Sequence, residues 1–348
     1  MKKNNPYKTI VVLMSLTLLC GCWDIKEINQ RALPLVMGVS KEHDKEYRVT
    51  LSIPRTNAEE KTRIVTGRGD SVSSILGQMR NNSENALDYS QLQLIVIDNK
   101  LAANQPEWIK IIKYFMTSKE IPSIALVAIT DDNIETMFSN ISKLGFAGTA
   151  VYDFFSKGAG WAPEVSSTRI WEVYQSLFSY TNDIAVPVVN TAKDTVLNFD
   201  GSAVLKNGKI TERISPSENH LVHLFQNHTT IRNTENLGFA TITVIDSSLK
   251  VKPSMKNSEP RIASDLSLKI SILESDEGVS NNRLKEALEK RIEQRFNDIF
   301  KQNQKNRTDI FGFGQHFRSR IPYDELKNWR EAYLPKLIVN FQVHVRME

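Results

Sequence analysis

Cysteine is almost absent from this chain, and its scarcity excludes several kinds of site. The sequence has 348 residues and two cysteines, Cys20 and Cys22, both near the amino terminus. Beyond Cys22, therefore, no residue is available for a disulfide, a zinc–thiolate site or a cysteine nucleophile. We expect the rest of the chain to be held together by its hydrophobic core alone.

A long hydrophobic run is also lacking. The stretch Ile10–Leu19 is apolar apart from Ser15 and Thr17, but it is too short to cross a bilayer, which takes about 20 apolar residues. Three lysines precede it, and a basic start followed by a short apolar run predicts a cleaved signal peptide over residues 1–21. No other apolar stretch approaches membrane-spanning length, so we expect the body to lie outside the bilayer.

The end of this leader, Leu19-Cys20-Gly21-Cys22, resembles a bacterial lipobox. The resemblance implies that the Cys22 thiol receives a diacylglyceryl group and that the leader is cut directly before it. Two acyl chains would anchor the body stably, where a single chain gives marginal binding. The alternative is an ordinary secretory leader that ends near Gly21.

The chain also lacks a large excess of positive or negative charge. The formal net charge is +4, and the leader's three lysines supply most of it, so the remainder is close to neutral. Near neutrality argues against nucleic acid as a partner, because such a partner needs a basic face. Removal of the leader would leave about 330 residues, which is long for one core and indicates two or three domains.

Strand-like and helix-like patterns alternate through the first half of the chain. This order predicts an α/β sandwich up to about residue 195. The predicted strands are Arg31–Ser40, Glu46–Pro54, Leu92–Ile97, Ile124–Ile129 and Ile184–Val189, with helices starting at Ser71 and covering Pro106–Met116, Asp132–Leu144 and Arg169–Tyr180.

The second half contains a hairpin, a polar stretch and a long helix. Asn207-Gly208 is a strong two-residue turn signal between two β-prone runs, and Pro253–Pro260 has the composition of a linker. A long helix is predicted from Asn281 to about Gln304, before a final strand at Leu337–Val345. We therefore predict an N-terminal α/β domain over 22–197, a small middle α+β domain over 198–255 and a C-terminal α+β domain with the long helix over 256–348.

Two patterns resemble ligand sites, and we interpret both as structural. Phe311-Gly312-Phe313-Gly314 lacks the third glycine and the preceding strand of a nucleotide loop. We interpret it as a tight turn that buries both phenylalanines and places Gly314 at positive φ.

His220 and His223, with His228 nearby, have a spacing that can bind a metal ion. No group of carboxylates completes such a site, so we interpret them as ordinary core or surface histidines. We find no spacing that indicates a catalytic, metal or cofactor-binding site.

Several motifs together resemble the Ger(x)C family, the C subunits of bacterial spore germinant receptors. Cys22-Trp23-Asp24-Ile25-Lys26-Glu27-Ile28 resembles the opening of the family directly after its lipobox. Leu205–Lys209 resembles the family hairpin, Leu284–Arg291 its long charged helix, and Asp309–Gly314 its D-x-x-G-F-G turn. The chain departs from the family at Tyr89-Ser90-Gln91, where Gly-His is usual.

The resemblance implies an α+β fold with three domains of mixed sheets packed with helices, in an elongated arrangement. It implies a non-enzymatic lipoprotein, anchored through Cys22 on the outer face of the spore inner membrane. Its partners would be an A-type and a B-type integral membrane subunit, with which it forms a nutrient sensor that triggers germination. It implies no cofactor.

Two other classes compete with this interpretation. A solute-binding lipoprotein would capture the nutrient itself, and would have two similar α/β lobes about an apolar cleft. The sequence instead predicts three unlike units, so direct small-molecule binding is not expected. A lipid-anchored hydrolase would need a nucleophile constellation that the spacing of residues does not supply.

Overall fold

The fold is described from a computed structural model of the chain. The structure describes residues 31–42, 46–55, 62–143, 150–155, 165, 167–226 and 233–348. The predicted signal peptide, Cys22, the motif at 22–28 and His228 lie outside these ranges. Within them, the mixed α+β class is confirmed.

The larger sheet has eight strands in the order β10-β9-β8-β7-β6-β2-β3-β4. Strands β2, β6, β7 and β8 are parallel to one another, and the outer strands are antiparallel to their neighbours. The bounds are β2 Val36–Glu42, β3 Glu46–Pro54, β4 Thr62–Gly69, β6 Leu94–Asp98, β7 Leu126–Thr130, β8 Ile184–Asn190, β9 Asn198–Lys206 and β10 Lys209–Ile214. Two short strands, β1 Arg31–Ala32 and β5 Ala86–Leu87, pair separately.

Helices cover both faces of the parallel strands, because the strands are apolar on both sides. In β6, Ile95 and Ile97 pack with Trp108 and Val173 on one face, whereas the alternate residues Leu94 and Val96 pack on the other. A strand buried on both faces reads as a continuous apolar run. The helices are α1 Val72–Asn81, α2 Asn99–Ala103, α3 Gln105–Thr117, α4 Ile134–Lys143, α5 Ala150–Asp153 and α6 Ile170–Phe178, with a 3-10 turn at Tyr89–Gln91.

The predicted Asn207-Gly208 hairpin is confirmed, and it extends the larger sheet. Asn207 and Gly208 have φ of 49° and 80°, as a two-residue hairpin turn requires. Its first strand, β9, pairs with β8, across the boundary predicted between residues 197 and 198. The three-domain division stays a prediction, although strand pairing crosses this boundary.

The smaller sheet has four strands in the order β11-β12-β13-β14. Strands β12 and β13 pair as one long antiparallel hairpin from Ala240↔Ser275 to Lys256↔Glu259. The prediction of a linker at Pro253–Pro260 is therefore wrong, because its residues complete both strands and Asn257 and Ser258 turn the chain at positive φ. The bounds are β11 Thr234–Asn236, β12 Ala240–Lys256, β13 Glu259–Ser275 and β14 Ile338–Met347.

Helices and turns of the second half surround a long amphipathic helix. Its buried stripe matches the predicted one from Leu284 to Phe300, and Ser280 caps its first turn. The elements are α7 Pro216–Phe225, α8 Asn281–Asn306, a 3-10 turn Phe313–Phe317, α9 Tyr323–Leu326, a π turn Trp329–Tyr333 and a 3-10 turn Leu334–Lys336. Within the described ranges, none of the helices is both long enough and apolar enough to cross a bilayer.

Helix α8 also covers the open edge of β14. Among the described strands, β14 pairs only with β13, in parallel and on one side, so every second backbone N–H of β14 points away from the sheet. Glu293 accepts a hydrogen bond from the N–H of Val343 at 3.1 Å, and Glu289 accepts one from Val345 at 2.8 Å. Because the two glutamates are one helical turn apart, α8 satisfies two edge donors with adjacent side chains.

We expect Glu289→Ala combined with Glu293→Ala to destabilise the second half of the chain. Each change leaves a part-buried N–H without its acceptor, at a cost of about 1–3 kcal/mol. Urea unfolding followed by circular dichroism measures the loss. Glu286→Ala, on the exposed side of the same helix, is the matched control and should change stability by less than about 0.5 kcal/mol. Equal stability of the double variant and the control would contradict the capping role.

Candidate functional site

The two sheets meet at a small buried contact, which we call the junction. It consists of residues 181–183, which lead into β8, the turn at 309–315, and Trp329 with Arg330. Alternate residues of β8 face different cores there, since Val186 packs in the first core and Ala185 in the second. Strand β8 therefore contributes side chains to the hydrophobic cores of both halves of the molecule.

Asp183 is the central residue of the junction. Its side chain is fully buried and forms a two-point ion pair with Arg330, at 2.6 Å to Nη2 and 3.1 Å to Nε. The same carboxylate accepts the backbone N–H of Asp309 at 2.6 Å, and the N–H of Asp183 donates to the carbonyl of Asp309 at 3.0 Å. A single side chain thus joins the strand of one half to two segments of the other.

Asp309 organises the turn that follows it. Its carboxylate accepts the backbone N–H groups of Phe313 at 2.8 Å and Gly314 at 2.7 Å. It also accepts the indole N–H of Trp329 at 2.8 Å. The side chain therefore closes the turn at 309–314 and fixes the buried tryptophan above it.

Burial dominates the electrostatics of both carboxylates. It raises the pKa of Asp309 to about 7, against the three N–H donors and with a contribution from the negative charge of Asp183. Burial also raises the pKa of Asp183, although the Arg330 guanidinium opposes the shift. For both carboxylates, the free-energy cost of removing the charged form from water exceeds the stabilisation that its hydrogen bonds provide.

A second polar link ties the hairpin to the end of α8. Glu212 in β10 accepts hydrogen bonds from Asn306 at 2.9 Å and from Thr308 at 3.0 Å. Burial raises the pKa of Glu212, and the two donors oppose that shift. The link holds the segment that leads into Asp309 against the larger sheet.

The turn at 309–314 buries its aromatic side chains as predicted. Phe311 and Phe313 are at most 2% exposed, and both pack against Phe225 and Phe296, with ring centroids 4.8–6.3 Å apart. The reason predicted for Gly314 is wrong, because the residue at positive φ is Gly312, at 69°. Gly314 is needed for space, since a Cβ there would lie 2.7 Å from Thr181 and 2.8 Å from the Trp329 indole nitrogen.

A cavity of about 360 Å³ lies beside the junction. Its lining mixes amides, hydroxyls and rings from both halves, including Gln175, Asn182, Gln226 and Gln315. Two of these amides already donate inside the protein, Gln226 to the carbonyl of Ile310 and Gln315 to the hydroxyl of Thr181. The cavity therefore offers a polar wall, with part of its hydrogen-bonding capacity used by the junction itself.

The two candidate metal histidines lie on α7 and are buried. Asn219 Nδ2 and His223 Nε2 are 3.4 Å apart, and Ser202 donates to Asn219 at 2.9 Å. In the part of the chain that the structure describes, three or more metal-ligating His, Cys, Asp or Glu side chains do not come together. His220 and His223 are 6% and 4% exposed and pack inside the protein on α7.

Sequence reasoning identified the turn but missed the residues that hold it. Asp183, Arg330 and Glu212 come from distant parts of the chain and have no shared spacing. The one available signal was Asp183 itself, an acid placed directly before the apolar run Ile184–Val189.

Comparison with known proteins matches both halves of the chain. Residues 24–191 match the model described as the spore germination protein N-terminal domain. Residues 200–348 match the model described as spore germination B3/GerAC like, C-terminal. The interval between the two matches, residues 192–199, covers most of the connection from β8 to β9 and the first two residues of β9, and these two strands pair with each other.

Two relatives and one solved structure are similar to this chain over most of its length. The chain is 20% identical to spore germination protein GerQC of Bacillus cereus over 93% of both chains. It is 22% identical to spore germination protein KC of Bacillus subtilis (strain 168) over 95% of this chain and 92% of that protein. The crystal structure of the GerBC protein shares the fold, with a TM-score of 0.56, 16% identity and coverage of 89% and 96%.

We expect Gly314→Ala to weaken the junction by about 1–3 kcal/mol, the usual cost of overpacking. The added methyl group must displace Thr181 or Trp329. Thermal unfolding measures the cost, and near-ultraviolet circular dichroism reports the displaced indole. Gly77→Ala is the control, since a Cβ at Gly77 meets nothing within 4 Å and alanine is favoured within a helix. An unchanged melting temperature and aromatic spectrum for Gly314→Ala would refute the packing role.

The raised pKa of Asp309 makes stability depend on pH. Between its ordinary value of 3.8 and about 7, the folded state holds a proton that the unfolded state has released. The free energy of unfolding contributed by Asp309 is therefore fully present below pH 4 and is lost as the pH rises through about 7.

We expect wild type to lose at least about 1 kcal/mol more than Asp309→Asn over this range. The comparison uses the slope of the unfolding free energy against pH. The asparagine amide faces three N–H donors at a cost that does not change with pH, so this cost does not affect the slope. Urea unfolding at a series of pH values measures both slopes. Parallel curves for the two proteins would exclude Asp309 as the titrating group.

Proposed function

This chain belongs to the Ger(x)C family, the C subunits of spore germinant receptors, and we propose that it is a lipid-anchored, non-enzymatic member on the outer face of the spore inner membrane. It acts there as a scaffolding or signalling subunit with A-type and B-type integral membrane subunits. The receptor so formed senses nutrients and triggers germination.

The observation that carries this proposal is the order of features at the amino terminus. A short apolar leader ends in Leu19-Cys20-Gly21-Cys22, and the family match begins two residues after Cys22, at residue 24. A diacylglyceryl group on Cys22 would hold the body at the membrane surface. Tethering raises the effective concentration of the body for partners in the same membrane.

The junction supports a scaffolding role over a catalytic one. Asp183, Asp309 and Arg330 are buried and bonded to one another or to N–H groups of the chain. Their hydrogen bonds join the two sheets instead of reaching a reacting molecule. A body joined in this way can transmit a displacement from one half to the other.

The solute-binding alternative is less well supported. Such proteins close two similar lobes about an apolar cleft. Here the two sheets differ, with eight strands in one and four in the other, and the cavity between them has a largely polar wall. We therefore assign nutrient capture to the partners and not to this subunit.

We expect Cys22→Ala to move the protein from the membrane to the soluble fraction, or to leave the precursor uncut. Loss of the thiol removes the acceptor of the lipid, and processing depends on that lipid. Cys20→Ala is the matched control, because it removes the neighbouring thiol and leaves Gly21-Cys22 intact. Fractionation, together with the mass of the amino-terminal peptide, measures both outcomes.

Normal processing and membrane retention of Cys22→Ala would contradict an essential anchor. Retention alone would not, since an uncut leader or the integral partners could hold the body in place. Expression without the partner subunits separates these causes, because only the leader or the lipid then remains.

A further inference from the structure

Large apolar side chains that reach the solvent are unevenly distributed. Eight such side chains are at least 36% exposed in the described part of the chain, and five of them lie on α6, on α9 or in the segments beside α6. We call these five side chains the aromatic belt, which consists of Ile124, Trp171, Phe178, Tyr180 and Tyr323, with exposed fractions of 69%, 38%, 56%, 39% and 67%.

The first part of the belt runs along α6. The N–H of Trp171 donates to the carbonyl of Ser123 at 3.2 Å, which places Trp171 beside Ile124. Trp171 and Phe178 are seven residues apart on the same helical face, with the half-buried Tyr174 between them. The rings of Tyr174 and Phe178 meet edge to face at 5.2 Å.

The belt continues across the junction to α9. Lys327 lies over the ring of Tyr323, 4.9 Å from its centroid. Lys327 also donates a hydrogen bond to Asp324 at 2.7 Å, and this bond is the main cause that raises the pKa of Lys327. Tyr180 directly precedes Thr181 of the junction, whose hydroxyl accepts a hydrogen bond from Gln315 at 2.6 Å. Tyr323 lies in the segment that leads to Trp329 of the junction, so the two phenols flank the junction.

A lysine lies beside each half of the belt, and two of the neighbouring acids, Glu120 and Asp324, form ion pairs. Lys113 lies 5.8 Å from the ring centroid of Phe178, so each half of the belt has a lysine over an aromatic ring. Glu120, four residues before Ile124, forms an ion pair with Arg80. The belt therefore presents apolar rings with polar tips, the ammonium group of Lys113 and the ion pair of Lys327 with Asp324.

The amino-terminal end of the described chain leads to the same surface. Arg31 pairs with Asp88 at 2.7 Å, next to Tyr89. Arg80 lies over the ring of Tyr89 and pairs with Glu120, in the loop that carries Ile124. Nine residue steps separate Cys22 from Arg31, a reach of at most about 30 Å.

We propose that the aromatic belt lies on the membrane, with its rings at the boundary between phospholipid headgroups and acyl chains. Tryptophan, tyrosine and lysine are the residues suited to that boundary, because each joins an apolar body to a polar tip. The proposal rests on the lipid anchor at Cys22, whose short connection keeps Arg31 close to the bilayer. Belt and anchor together orient the body on the membrane.

Brominated phospholipids test the proposal, because bromine quenches tryptophan emission on contact. The full-length protein is purified from membranes and reconstituted into phosphatidylcholine–phosphatidylglycerol vesicles with or without brominated acyl chains. Trp108 and Trp329 are fully buried, and the difference between wild type and Trp171→Phe isolates Trp171 from the other tryptophans. We expect bromine to quench most of the Trp171 emission.

A double variant, Phe178→Ser with Tyr323→Ser, should reduce that quenching severalfold while leaving the melting temperature unchanged. The matched control is Ile272→Ser with Leu273→Ser, which removes two exposed apolar side chains outside the belt and should leave the quenching intact. Trp171 emission that is equal in brominated and plain vesicles would overturn the proposal and indicate a protein partner for the belt.

Failure of the anchor gives a different result. If Cys22→Ala is cut normally and still floats with the vesicles as wild type does, the anchor is wrong, while bromine quenching of Trp171 in the floated protein still supports the belt. Protein that does not float in either form overturns both proposals. Floated wild type without Trp171 quenching overturns the belt alone.

Discussion

One buried ion pair, between Asp183 and Arg330, holds the two sheets of this protein to each other. Asp183 stands at the start of a strand that borders both cores, so its carboxylate cannot reach water. Removing one partner of such a pair typically costs about 3–5 kcal/mol, because the other charge remains buried. Because neither charge can be left unpaired, three segments lie together: the residues before β8, the turn near Asp309 and the π turn that contains Arg330.

The rest of the second half is arranged around that point. Asp309 donates its N–H to Asp183 and accepts three N–H groups, so the turn after α8 has one geometry. That geometry places Phe311 and Phe313 in the aromatic core, and Gly314 leaves the space in which Trp329 packs. The function proposed for the chain is consistent with this arrangement, since a tethered subunit without a reaction to perform needs a body that keeps its shape between membrane and partners.

Local patterns predicted many individual elements well. The Asn207-Gly208 turn, the stripe on α8 and the apolar strands of the larger sheet depend on neighbours in sequence, and each was found where it was expected. The linker that was predicted from composition at Pro253–Pro260 is wrong. Pro253–Pro260 is polar because it forms the exposed end of a hairpin, and polarity alone does not separate a linker from a solvated strand end.

The sequence by itself determined the α+β class and the family, because periodicity and short motifs are local properties. The tertiary structure alone decided that β9 and β10 complete the first sheet, and that Asp183, Asp309 and Arg330 form one buried network. The same holds for the glutamates of α8 at the edge of β14 and for the aromatic belt. Their members are far apart in the chain, and only packing decides which charges lose water together and which apolar side chains stay exposed.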